Sequence, residues 1–153
     1  MHKGVLLVFS LFVAFFMSLW MPQAGNYLYN PPWMLLVVCY WLIALPVYVG
    51  FWLPFFVGLM MDVALGAPLG AHALAMTIPA WVLLSFFKRA LYHSVVRQMG
   101  MIGLLALLYD VVLACVYGFM GMMPSSLIYF LSPVLAACVW IPVAFYARKS
   151  SVV

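Results

Sequence analysis

From Gly4 to Met61 the chain carries no charged side chain. No soluble domain can be built on such a stretch, because water must be met by polar groups. With 71% apolar residues, 5% charged and a mean hydropathy of +1.26, too little polar surface exists anywhere to cover a core. The composition is that of an integral membrane protein. The apolar runs are too long and unbroken for a β-barrel, whose strands alternate lipid-facing and lumen-facing residues. Helices satisfy their own backbone hydrogen bonds in lipid, so the expected fold is an all-α, six-transmembrane-helix bundle.

A span needs about 20 apolar residues, fewer where the bilayer thins. On that scale the spans fall at about 5–21, 33–49, 51–66, 71–87, 99–120 and 127–147, in a single integral membrane domain over 1–153. The first run has no small-residue cleavage site and reads as a retained span. Residues 23–30 form a polar loop between Trp20 and Trp33, as in an interfacial aromatic belt. Pro46 and Pro54 flank a tight turn near Val49 and Gly50, Pro79 is expected to kink the fourth span, and Pro133 and Pro142 to interrupt the sixth. With six spans, Lys3, the connector holding Lys88, Arg89, His93 and Arg97, and the tail with Arg148 and Lys149 share one side. The opposite loops hold no basic residue, so the positive-inside rule makes both termini cytoplasmic. The basic residues form three small groups rather than one stripe, which argues against a nucleic-acid partner.

One segment stands out within this apolar background. Gly58, Asp62, Gly66 and Gly70 follow one another at four-residue steps, with His72 close behind. Successive members of such a series drift by only about 40° around a helix, so the first three share a stripe. Pro68 lacks an N–H, and a helix should end between Gly66 and Pro68. The expectation is a glycine-lined helix end with one buried carboxylate, which another helix can approach closely.

Asp110, the other acid, lies near the middle of the fifth span. A carboxylate there costs at least about 3 kcal/mol to insert, so it should face the bundle interior. Gly103, Ala106 and Ala114 make a small-residue stripe around it. Each acid has two readings: a packing group bonded to a neighbour's backbone, Thr77, Ser or Tyr, or part of an ion path or partner contact. His72 reads as a hydrogen-bonded histidine near the outer interface. Cys39, Cys115 and Cys138 lie within apolar runs as small buried residues, and no spacing points to a metal, cofactor or nucleophile.

The order of several segments resembles a known family. Pro32, Trp33, Leu35 and Leu36, then Tyr40 and Trp41, then Ala44, Leu45 and Pro46 look like the second-span signature of the rod shape-determining protein MreD family of Gram-negative bacteria. The series Gly58, Asp62, Gly66, Leu69 and Gly70, followed by Ala73 to Met76, is similar to that family's most recognisable motif, and Asp110 matches a recurring acid. The resemblance implies a non-enzymatic inner-membrane component of the cell-elongation machinery. Its implied partners are MreC, the RodA glycosyltransferase with its wall-synthesis transpeptidase and, indirectly, MreB. It also implies a likeness to the six-helix substrate-binding components of ECF vitamin transporters, hence a central groove, and it leaves a homodimer open. The reading from another class is a small-molecule-binding transporter subunit with Asp62, His72 and Asp110 lining a pocket. An intramembrane enzyme is disfavoured because no acid–base or nucleophile pair is evident.

Overall fold

The computed structural model describes residues 2–20, 32–45, 50–87, 94–121 and 131–150. These residues form six helices, one in each apolar run: α1 His2–Trp20, α2 Trp33–Ala44, α3 Trp52–Leu65, α4 Ala71–Val82, α5 Val95–Phe119 and α6 Ser132–Ser150. A π-helical turn, Leu83–Phe87, continues α4.

Local chemistry sets the helix ends and corrects several expected boundaries. α2 closes at Ala44 rather than running on to 49. Leu45 takes φ −136° and ψ 60° because the ring of a following proline crowds helical backbone. Pro54 sits in the first turn of α3, where its missing N–H has no intrahelical partner to lose. α5 starts four residues before the expected 99, since Ser94 is extended and its Oγ accepts from the Arg97 N–H at 3.4 Å. Arg97 thus belongs to the first turn of α5 and not to the connector. Pro133 begins α6 instead of interrupting it, and the helix runs through Pro142. α4 likewise continues through Pro79 into the π turn. Pro46, Lys88, Arg89, His93 and the expected polar loop at 23–30 lie outside the described residues.

The helices pack mainly against their neighbours in sequence. α4 lies between α3 and α5, and α6 packs along α5. α2 is central, touching α1, α3, α4 and α6, while α1 stays at the edge against α2 and, less, α3. α4 owes its interior place to small residues: Ala73, Ala75 and Ala80 are fully buried. Trp41 Nε1 donates to Ser10 Oγ at 2.7 Å and ties α2 to α1.

Polarity is inverted relative to a water-soluble domain. Asp62, His72, Asp110 and Ser132 are buried, whereas Phe9, Phe12, Trp52, Phe56, Val63 and Val96 are exposed. An outer surface of large apolar side chains around polar interior groups suits lipid. By length and composition α5 is the one helix among the described residues long and apolar enough to cross a membrane; the others are apolar but shorter over their described lengths.

Candidate functional site

The site grows from one short side chain placed where two backbones meet. α3 ends with Gly66, whose φ of +61° is open to glycine at little cost; its N–H bonds the Asp62 carbonyl. The chain turns back through Pro68 and Gly70, where φ is +99°, and α4 begins at Ala71. Gly70 stands at the N-cap of α4 and has no side chain to receive the helix's first N–H groups.

Asp62 supplies that acceptor from the preceding helix. Its Oδ2 accepts from the Gly70 N–H at 2.8 Å and, at the limit of hydrogen bonding, the Ala73 N–H at 3.5 Å. Its Oδ1 accepts from the His72 N–H at 2.8 Å and meets the His72 ring Nδ1 at 2.8 Å. A carboxylate only accepts, so the imidazole proton is assigned to Nδ1. Two further N–H groups of the turn have backbone partners: Ala71 bonds the Pro68 carbonyl and Leu74 the Gly70 carbonyl. Asp62 is 1% exposed, so its carboxyl oxygens meet the positive end of the α4 dipole away from water.

An aspartate reaches across only if the helices are close, and Gly58 provides the closeness. A Cβ at Gly58 would lie 2.4 Å from the Ala73 Cα and 2.7 Å from both the Ala73 N and the His72 O. Gly66 and Gly70 have nothing within 4 Å of such an atom. The expected glycine stripe therefore divides by role: Gly58 serves close approach, while Gly66 and Gly70 serve positive φ. The helix that uses the approach is the chain's own α4.

The second acid closes the neighbouring helix pair. Ser132 Oγ, at the start of α6, donates to Asp110 Oδ2, and both residues are buried. Gly103 lies 3.6 Å from Ala137 Cβ on the same seam, measured from where its own Cβ would be. Thr77 does not serve either acid; its hydroxyl donates to the Ala73 carbonyl at 2.6 Å. Tyr109, beside Asp110 in the chain, packs its ring 6.4 Å from that of His72, so the two polar pairs lie at adjoining levels of the bundle. Sequence reading allowed a serine as partner of the acids but did not single out Ser132, which it placed inside the sixth span beside a proline expected to interrupt it.

The second-span residues gather elsewhere. Trp33, Tyr40 and Trp41 are on α2, with Pro32 at its N-cap. Trp41 binds α1 through Ser10, and the Tyr40 and Trp41 rings meet edge to face at 5.4 Å. No three His, Cys, Asp or Glu side chains converge as a metal site among the described residues. A surface depression on the outside of α1, lined by Gly4, Val5, Val8, Phe9 and Phe12, includes neither acid.

Fold and site together define a class: an all-helical, apolar protein whose few polar groups join its own helices from within. The family model described as rod shape-determining protein MreD matches residues 2–150, and the chain belongs to that family. It is also 35% identical over 77 residues to the rod shape-determining protein MreD of Haemophilus influenzae, covering 50% of this chain. The matched stretch spans about half of that relative, 48% of its length. No solved structure matches. Family membership makes the chain a bacterial membrane protein.

Proposed function

We propose that the protein is a non-enzymatic scaffold of the cell-elongation machinery, crossing the bacterial inner membrane six times with both termini in the cytoplasm. Family membership supports the role in rod shape. The apolar outer faces of the helices and the one-sided placement of the basic residues support the topology. The likeness to ECF substrate-binding components belongs to this proposal as its six-helix arrangement.

One observation carries the scaffold reading. Both acids spend their hydrogen bonds on their own helices, Asp62 on the α4 backbone and His72, and Asp110 on Ser132. They build a fixed shape, which leaves partner recognition to the outer helix faces and loops. MreC, RodA with its transpeptidase and, indirectly, MreB are the partners proposed for those faces.

The test is affinity purification of the detergent-solubilised protein from its native membrane, with quantification of the proteins recovered. Recovery of MreC and the wall-synthesis enzymes in stoichiometric amounts is expected. Recovery of an ATPase-linked membrane partner with a bound small molecule, and no wall-synthesis protein, would overturn the scaffold reading.

A further inference from the structure

The turn between α3 and α4 leaves part of its backbone without partners in the chain. Seven of its N–H groups have partners: Gly70, His72 and Ala73 in the Asp62 carboxyl, Ala71 in Pro68, Leu74 in Gly70, and both Gly66 and Ala67 in the Asp62 carbonyl, whereas the Leu69 N–H at the apex bonds none of the described residues. Several acceptors are open as well. The carbonyls of Val63, Ala64 and Leu65 receive no hydrogen bond from the described residues. Such groups do not sit in hydrocarbon, where nothing replaces the missing donor.

The height of this turn follows from its neighbours. His72 packs against Tyr109, whose side chain leans toward the start of α5. Beyond Tyr109, α5 continues to Phe119, about 15 Å further. α6 also begins low, since its first residue, Ser132, bonds Asp110. α3 is about 21 Å long, and α4 with its π turn reaches about 25 Å, against about 30 Å of hydrocarbon. A hairpin that starts at the inner face therefore turns before it reaches the outer one.

We infer that the α3–α4 hairpin turns within the outer half of the membrane, below the outer end of α5, in a recess through which water reaches its open carbonyls. The inference rests on the six-span topology proposed for the chain. It gives Asp62 a physical role, in which the carboxyl pairs three donors of a turn made below the membrane surface while water serves the groups left open. Leu69, 76% exposed at the apex, projects into this recess.

Fluorescent bimane labels at Leu69→Cys, Phe119→Cys and Val96→Cys test it in the full chain reconstituted into phospholipid vesicles. Cys115 and Cys138, exposed on the helix surface rather than buried as expected, are replaced by alanine, and the buried Cys39 is kept so that the core is undisturbed. Labels at Val96 and Phe119, exposed at opposite ends of α5, should meet aqueous iodide from opposite sides of the vesicle. The Leu69 label should be quenched by iodide from the Phe119 side. It should also be quenched several-fold more than the Phe119 label by a lipid carrying a nitroxide near the top of its acyl chain. Equal lipid quenching at the two positions would place the turn at the surface and overturn the recess. Protection of Leu69 from iodide would overturn the water. If Val96 and Phe119 report the same side, the spanning reading itself fails and the recess with it, an outcome distinct from the other two.

Discussion

Asp62 and His72, ten residues apart, meet twice: Oδ1 of the aspartate accepts the His72 backbone N–H and faces the His72 ring Nδ1, each at 2.8 Å. The first contact fixes where α4 begins, and the second fixes how the imidazole lies against Tyr109. A single carboxylate thus couples the end of one helix, the start of the next and a side chain on a third.

Replacing Asp62 should first cost folding. Asp62→Ala leaves the Gly70 and His72 N–H groups and the imidazole without their acceptor, each worth about 1–3 kcal/mol when buried. Asp62→Asn keeps one carbonyl oxygen but turns an NH2 group toward a donor. Thermal unfolding in detergent should rank the wild type above Asn, and Asn above Ala. An Asp62→Ala protein that unfolds at the wild-type temperature would contradict the capping role.

Two glycines of the described helices should respond in opposite ways. Gly58→Ala puts a methyl group into the Ala73 backbone, which cannot rotate aside, so α3 and α4 must separate at a cost of about 1–3 kcal/mol. Gly100→Ala meets nothing within 4 Å and should be neutral, or stabilising by up to about 1 kcal/mol from helix propensity. Comparable losses at both positions, measured as membrane abundance and melting temperature, would rule out specific close packing at Gly58.

The bond between Asp110 and Ser132 joins α5 to α6, so the two residues should be coupled. A double-mutant cycle with Asp110→Asn and Ser132→Ala should give a coupling of about 0.5–1.5 kcal/mol. Asp110→Leu should lower protein level before any partner contact is lost, because its carboxyl is buried on the helix seam. Normal abundance of Asp110→Leu with lost MreC recovery would reverse that order.

α1 lies at the edge of the bundle, and the bond from Trp41 Nε1 to Ser10 ties it to α2. Ser10→Ala and Trp41→Phe should each reduce stability by about 1 kcal/mol, and together by little more than either alone. Additive losses would show that the two residues act separately.

The class of fold was legible in the apolar runs, because a backbone in lipid has few structures open to it. The helix end before Pro68 and the burial of Asp62 were also legible, since proline stereochemistry and the cost of a carboxyl in lipid are local properties. Helix ends set by subtler chemistry were not. Ser94 as a cap and Pro133 as a helix start moved two boundaries by several residues.

That this chain is helical and apolar outside, with its two acids inside, follows from its residues alone, because solvation decides those points one side chain at a time. Which groups the acids serve is a matter of tertiary packing. Asp62 meets the start of α4 because Gly58 lets two backbones approach, and Asp110 meets Ser132 from 22 residues away. Hydrogen bonds reach only about 3 Å. Their partners are therefore chosen by how the helices are placed against one another, a relation that no local spacing in the chain contains.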